Sequence, residues 1–513
     1  MISATSTVHR PWPLLLSVWL VVACTLSLWL ASSPLLAFGA GLTWLLFAGL
    51  TFTQWFNRAV FALFFAELIL GGRGRMVEIH DVVPIRLAIG FLLVLAFFSA
   101  WFADGRATRF ELGKSRACLI ATAMGVGTFL FFGMLLGRAY GNDSDYILGD
   151  ARGFVFLGGA VPLLFFVSRK RLDLDFVVGC FSSIVCFFGA AKSFGYALIL
   201  TQLMSVKQMR EMLEQYIPQE VGAYNLSKYV TAPRFYLAGD FFLMFALSLL
   251  VSLALSTKIR RTRFTLYGAV AILFVGLVSS ETRGLWLAAM LGLAVVFWLS
   301  SLRGRLRIAI ILPFILVGVL ALSQDFLPSV RERFGETFEA EDSSYRGRID
   351  QFAPLMDMAR KHIILGNGFG SYAPDHPGVD PKQPYGYELQ PANFLMKMGI
   401  VGCGLWGLFL AWILHRLWVI YKRAEDPAHR VLAKGILGGL SAMLFASATN
   451  PYFSSSPGMG CLLFTVIVID LVGERLVPPL PSDAGKARAR VLNGGRGTQY
   501  RSPANYSARS ESQ

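Results

Sequence analysis

Charge is scarce in this chain. Of its 513 residues, 15% are Asp, Glu, Lys or Arg, while 55% are hydrophobic. A soluble fold of this length cannot hide that much apolar surface in one core and would divide into domains with polar surfaces between them. No such alternation is present. Cysteine is also scarce. The six, Cys24, Cys118, Cys180, Cys186, Cys403 and Cys461, lie in apolar runs and not in the long polar segments. That placement argues against a disulfide frame and matches no strong zinc spacing, so they read as small buried hydrophobes and no metal site is expected. The Gly-Lys-Ser/Thr ending of a phosphate loop is missing. No repeat at a fixed period is visible, and no inverted repeat between halves. The first apolar run, Trp12 to Ala31, is too long for a signal-peptide core and lacks a small-residue cleavage site, so a retained helix is expected there.

What the chain does have is a succession of apolar runs, each long enough to cross about 30 Å of hydrocarbon. They fall at 12–31, 34–53, 57–72, 83–103, 115–136, 153–167, 176–202, 236–256, 264–281, 284–301, 308–323, 392–415, 431–449 and 457–474. The expected fold is all-α: a polytopic transmembrane helix bundle of about 12–14 spans. The net charge of +15 is placed in short clusters between these runs. That is the pattern of cytoplasmic loops beside anionic headgroups, and it argues against nucleic acid as a partner. Counting the short third run, which carries Arg58 and Glu67, puts both termini inside. The inside loops then hold Arg106, Arg109, Lys114 and Arg116; Arg169, Lys170 and Arg171; Lys258, Arg260, Arg261 and Arg263; Arg303, Arg305 and Arg307; and Lys422 and Arg423. The chain divides into a transmembrane domain, 1–474, including a large outer loop at 324–391, and a tail, 475–513. The tail is basic and rich in Pro, Gly and Ser, and is expected to be disordered and cytoplasmic.

Outer loops are normally poor in arginine, yet several outer segments carry it. Arg283 stands in Ser279-Ser280-Glu281-Thr282-Arg283-Gly284, a tight turn between two spans. Arg234 directly precedes Phe235-Tyr236-Leu237-Ala238-Gly239-Asp240 at the start of a span. Arg346 and Arg348 lie in the large loop, and Arg73, Arg75 and Arg86 flank the third and fourth spans. A planar guanidinium suits bidentate binding of phosphate or carboxylate, and charge at membrane depth is costly enough to mark a site. The alternative for each is a nearby carboxylate or a lipid headgroup. For Arg283, in a turn too short to hide it elsewhere, the functional reading is favoured.

The large loop has internal order. Ile349, Phe352, Leu355, Met356 and Ala359 recur at helical spacing within Gly347 to His362, and Asp342 and Ser343 are suited to start a helix. The helix is expected to lie along the outer surface with Arg348 in its first turn. The stretch Ile364-Leu365-Gly366-Asn367-Gly368-Phe369-Gly370-Ser371 either turns the chain or lets backbone amides approach an anionic or sugar ligand. Lys192 and Glu67 fall mid-span. They form an ion pair across the bundle, or belong to a carrier or proton path.

Three pieces of this chain resemble the O-antigen ligase and polysaccharide polymerase superfamily. They are the Ser279 to Gly284 turn; the arginine, helix and Gly-rich turn from Arg348 to Ser371; and Asn393-Phe394-Leu395-Met396-Lys397-Met398-Gly399-Ile400-Val401-Gly402. Together they cover roughly Arg234 to Leu410; the first half of the chain resembles the family only in its helix count. The resemblance implies a metal-independent, cofactor-free multi-spanning glycosyltransferase of the bacterial inner membrane, its large partly helical loop and active face periplasmic. It implies transfer of a glycan from undecaprenyl diphosphate to a sugar hydroxyl, among membrane lipids and with chain-length regulator and flippase proteins as partners. Arg234, Arg283 and Arg348 would contact the diphosphate and stabilise its developing charge.

One departure concerns catalysis. Ligases of the family usually carry a His-Asn pair where this chain has Glu388, in Tyr387-Glu388-Leu389-Gln390. A carboxylate can act as base or orient an acceptor, so Glu388 and Arg283 are the catalytic candidates. Arg346, His376 and Arg86 are secondary, and His362 is a further loop histidine. The alternative for Glu388 is a solvated carboxylate or an arginine's partner. Its replacement of histidine points to a polymerase building an exopolysaccharide or O-antigen, with a ligase acting on a lipid A core as the alternative. A transporter or flippase would need polar groups at mid-membrane in several helices and a repeat between its halves; here the polar features gather on one face.

Overall fold

Backbone groups in hydrocarbon must be satisfied within the chain, and helices do this segment by segment. The computed structural model is accordingly an all-α polytopic helix bundle. It describes residues 54–70, 78–79, 83–84, 89–90, 92–98, 112–205, 207–209, 235–237, 239–280, 282–307, 309, 343–376 and 384–473. The spans expected at 12–31 and 34–53, that at 308–323 apart from residue 309, and the tail from 475 lie outside these.

The third apolar run forms α1 (Gln54–Leu70), whose Phe61 and Phe65 pack on Phe176 and Phe181. The fourth run differs from expectation at its start. Val83–Pro84 pairs antiparallel with Glu78–Ile79, and helical backbone covers residues 92–98. Pro84 holds the residue before it extended, so the ladder replaces the first helical turn.

Helix α2 (Leu112–Thr128) widens into a π-helical stretch, Phe129–Leu135, and ends in the turn Leu136–Ala139. Next come α3 (Ser144–Ala151), capped by Asp143, and a 3₁₀ turn, Phe154–Gly159, leading into α4 (Ala160–Ser168). The chain bends by 51° between α3 and the segment Phe154–Ser168. After these come α5 (Leu174–Leu200), capped by Asp173, α6 (Asp240–Ser256), α7 (Arg260–Val278) and α8 (Arg283–Trp298). The loop helix is α9 (Ser343–Lys361). The last three are α10 (Gln390–Arg423), α11 (Pro427–Thr449) and α12 (Ser456–Gly473).

Among the described helices six are long and apolar enough to cross a membrane, and the bent α3–α4 pair makes a seventh. Their burial sorts them. Helix α12 is 94% buried, which makes it the core of the bundle, while the apolar stretch of α7 is 22% buried and lies at the lipid-facing edge. Phe464 of α12 stacks on Phe181 of α5 at 4.0 Å. Helices α6, α8 and α11 approach through small residues. A Cβ on Gly292 would lie 2.7 Å from the Gly438 carbonyl oxygen and 2.6 Å from Ser248 Oγ, so only glycine permits that crossing.

The two ends of the bundle differ in charge. Arg307 donates to the Leu255 carbonyl, Tyr421 to that of Leu299 and Lys434 to Ser300 Oγ. These contacts gather the clusters around Lys258–Arg263, Arg303–Arg307 and Lys422–Arg423 at one end. Lys192 of α5 meets Asp240 of α6 near the other end, so the Arg169–Arg171 turn at the start of α5 joins the basic end. Sequence pattern and packing therefore agree on the alternation of these spans.

Candidate active site

The opposite end carries the residues singled out in the sequence. Helix α9 contains Gly347 to Lys361, ending one residue before the expected His362, and its apolar residues do not all face inward. Leu355 and Ala359 are buried against Tyr387, Ala392 and Met396, whereas Ile349 and Phe352 are exposed. The residue that completes the inner face is Gln351, which is buried. Its Oε1 accepts the Glu388 backbone N–H at 3.1 Å. One turn earlier on the same side, Arg348 Nε donates to Glu388 Oε2 at 2.9 Å. The helix thus holds Glu388 by its backbone and by its carboxylate. Both side chains stay accessible, with relative exposures of 27% and 34%. The structure therefore joins two residues that the sequence pattern placed in separate roles, and makes Glu388 the partner of an arginine.

The strand of loop carrying Glu388 is pinned on both sides. Tyr387 is buried; its hydroxyl accepts the Ala373 N–H at 2.7 Å and donates to the His376 carbonyl at 3.2 Å. Burial pushes that hydroxyl from 10.0 up to about 12. Lys397 Nζ donates to the Tyr385 carbonyl at 2.8 Å and to Asp150 Oδ1 at 2.6 Å, forming a buried ion pair between α10 and α3. Gln390 accepts the Phe453 N–H at 3.0 Å, tying the start of α10 to the turn before α12.

The Gly-rich stretch proves to be a structural knot. Asn367 N donates to the Met396 carbonyl, Gly368 N to that of Lys397, Phe369 N to that of Gly133 and Gly370 N to Asp150 Oδ2. Four consecutive amides are thereby spent inside the protein, which favours the chain-turning reading of this stretch over the ligand cradle. The carbonyls they meet belong to the π-helical part of α2 and to a break in α10. That break is at Gly399 (φ +63°), where a Cβ would lie 2.3 Å from the Ile364 carbonyl oxygen. Beyond the break, Ile400 N and Val401 N donate to the carbonyls of Ile363 and Ile364.

Arg283 opens α8, behind an N-cap, Thr282, that makes no side-chain cap hydrogen bond. A cation at a helix N-terminus adds to the positive end of the helix dipole, so together they favour an anion. Ser279 and Ser280 are buried, and their hydroxyls donate to the carbonyls of Gly276 and Leu277, which makes them helix-ending groups and not ligands. Phe235, the residue after Arg234, donates its N–H to the Ser279 carbonyl at 3.0 Å. Helices α8 and α11 run antiparallel, with Ser300 against Lys434 and Gly292 against Gly438. The Arg283 end of α8 therefore lies toward the Asn450 end of α11, which leads into the turn bonded to Gln390. Arg283 and the Arg348–Glu388 pair share one end of the bundle.

The remaining candidates divide. Arg346 is exposed two residues from Arg348 and so does not share its face. His376 contributes its carbonyl to Tyr387. His362 stacks on Tyr140 at 4.7 Å and lies about 21 Å along the helix direction from Arg348, apart from the Arg348–Glu388 pair. Arg234, Arg86, Arg73 and Arg75 lie outside the described residues. Among the described residues no group of three or more His, Cys, Asp or Glu is placed to hold a metal ion. Lys192 pairs with Asp240 of α6 at 2.6 Å, both side chains fully buried. Sequence reasoning missed Lys397, Asp150, Gln351 and Tyr387. A lysine inside an apolar span was the signal available for the first.

Residues 268–407 match the family model described as O-Antigen ligase. The resemblance drawn from the motifs therefore holds over that segment, which contains α8 and α9 and enters α10. No curated protein matches the chain. A chain from the solved structure titled "Structural coordination of polymerization and crosslinking by a peptidoglycan synthase complex" is similar at 16% identity, over 70% of this chain and 98% of its own, with a TM-score of 0.36.

Proposed function

We propose that this chain, which carries an O-antigen ligase family segment at 268–407, is an inner-membrane glycan polymerase. It transfers undecaprenyl-diphosphate-linked repeat units to a growing exopolysaccharide or O-antigen chain on the periplasmic face. The observation that carries this reading is the Arg348–Glu388 pair, placed by α9 at the same end of the bundle as Arg283. In the reaction, an acceptor sugar hydroxyl attacks the anomeric carbon. Glu388 takes the hydroxyl proton, and the bond from that carbon to the diphosphate oxygen breaks. Arg283, Arg348 and Arg234 hold the departing diphosphate and stabilise the charge that grows on it. Arg348, bonded to Glu388, then links the base to the leaving group and keeps both on one side of the substrate.

A second reading, a ligase passing finished polymer to a lipid A core, is favoured by the family model's own description. Deletion of the gene separates them. Single repeat units accumulating on the carrier support the polymerase; long chains stranded on the carrier overturn it in favour of the ligase.

A further inference from the structure

Helix α9 has three faces. Gln351, Leu355 and Ala359 form the one buried against α10 and Tyr387. Arg346, Asp350, Asp357 and Lys361 form a polar, exposed one. The third is apolar: Ile349, Phe352 and Met356 follow at intervals of three and four residues, with Ile349 53% and Phe352 54% exposed. Contiguous apolar surface left outside on a helix that already has a packed face marks a contact with something else.

Apolar exposure recurs beyond α9. Ile364, in the turn after the helix, is 63% exposed, and its carbonyl accepts the N–H of Val401. Val401 and its neighbour Ile400 are 40% and 58% exposed on α10, a helix long and apolar enough to cross the membrane. On α2, beside the same knot, Phe131 and Leu135 are 52% and 62% exposed. Exposed apolar side chains on two spans therefore lie beside the turn that ends α9 at the break near Gly399, and α9 carries its own exposed apolar stripe away from that turn. Arg360 and Lys361 close the helix, both exposed, and Arg360 donates to Asp357 at 2.9 Å on the polar side.

We propose that α9 is an interfacial helix, with Ile349, Phe352 and Met356 inserted at the headgroup–acyl boundary of the bilayer and the Asp350–Asp357 side facing water. The occupant of the apolar face is membrane lipid. With Phe352 at that boundary, Arg348, one turn earlier and on the Gln351 side of the helix, lies close to it. Its guanidinium is thereby held at headgroup level, the depth of a lipid diphosphate; this last step rests on the function proposed above.

Site-directed spin labelling tests the placement without reference to glycan transfer. Labels are introduced singly as Ile349→Cys, Phe352→Cys, Asp350→Cys and Asp357→Cys in a full-length chain whose native cysteines are replaced by Ala. The protein is placed in nanodiscs of phosphatidylethanolamine and phosphatidylglycerol. The ratio of collisions with oxygen to collisions with a water-soluble nickel chelate is expected to be severalfold higher at 349 and 352 than at 350 and 357. Equal nickel access at all four sites, or shielding of 349 and 352 from both reagents, overturns the proposal. In parallel, the chain with its native cysteines is irradiated in bilayers holding a phospholipid with a photoreactive acyl chain. Adducts on the peptide containing Ile349 to Met356 support lipid contact, and their absence while α10 peptides are labelled overturns it.

Discussion

Glu388 has two partners from one helix, Gln351 at its backbone and Arg348 at its carboxylate. That arrangement makes Glu388→Gln a clean variant. The amide oxygen still accepts from Arg348 and the loop keeps its anchor, while the capacity to take a proton is lost. Polymer formation is expected to fall by about 10²–10⁴-fold, the usual worth of a general base. Unchanged polymer in a cell lacking the native gene would remove Glu388 from that role. At Arg283 the test is replacement by Ala and, separately, by Lys. Ala is expected to abolish long chains, whereas Lys keeps the charge but loses the planar fork and gives shortened ones. Wild-type chain lengths in both would sink the diphosphate contact. Tyr387 supplies a pH signature. Its hydroxyl is held protonated in the folded state up to about 12, against 10.0 when exposed. An unfolded chain therefore releases this proton first as pH rises, and the folded state loses stability across that window. Tyr387→Phe is expected to unfold less readily at the top of the window, relative to its own neutral stability, than wild type does; equal slopes in pH-dependent thermal unfolding would contradict the shift.

At the scale of elements, the site depends on a knot of three: the π-helical end of α2, the Gly-rich turn and the broken start of α10. Gly399→Ala would set a Cβ 2.3 Å from a carbonyl oxygen at positive φ, whereas Gly404 on the same helix has nothing within 4 Å. The first substitution is expected to lower thermal stability and polymer yield together, and Gly404→Ala to change neither; matching behaviour of the two would mean the break is not needed. Lys397→Met leaves Asp150 buried without its cation, a loss of about 3–5 kcal/mol when one partner of a buried pair is removed. Adding Asp150→Asn, which preserves the acceptor for Gly370, is expected to recover much of that in thermal unfolding. These contacts also show what the sequence could and could not disclose. Helix α9 is legible because its period is local, and the Gly-rich turn is visible as composition. The Lys397–Asp150 bond joins residues 247 apart, and no local pattern announces it. The same limit hid the choice between cradle and knot at Gly366–Gly370, since the carbonyls that use up those amides come from distant helices. Likewise the spacing of Ile349 and Phe352 reveals an apolar stripe on α9 but not which apolar stripe is turned inward; Gln351, polar and buried, breaks the expected pattern because it serves Glu388.

For the whole molecule, charge sorts the two ends. The clusters around Lys258–Arg263, Arg303–Arg307 and Lys422–Arg423 meet at one end through contacts among α6, α8, α10 and α11. Arg283, Arg348 and Glu388 stand at the other. The alternation of these spans was legible in the sequence because loop charge and apolar length are each read locally. The same charge pattern leads to the expectation that the basic end is cytoplasmic, and the proposed reaction likewise requires the arginine-bearing catalytic end to be periplasmic. A lipid-linked diphosphate displayed on the outer leaflet reaches only that end. Cytoplasmic basic loops would hold the bundle in this sense, through attraction to the anionic leaflet. Fusions read the orientation directly. Alkaline phosphatase joined after Ser371 is expected to be active and green fluorescent protein at that point dark, while after Arg423 fluorescence is expected and phosphatase activity is not. The reverse pattern would place Glu388 in the cytoplasm, away from the polymer it is proposed to extend, and the polymerase reading would fall with it.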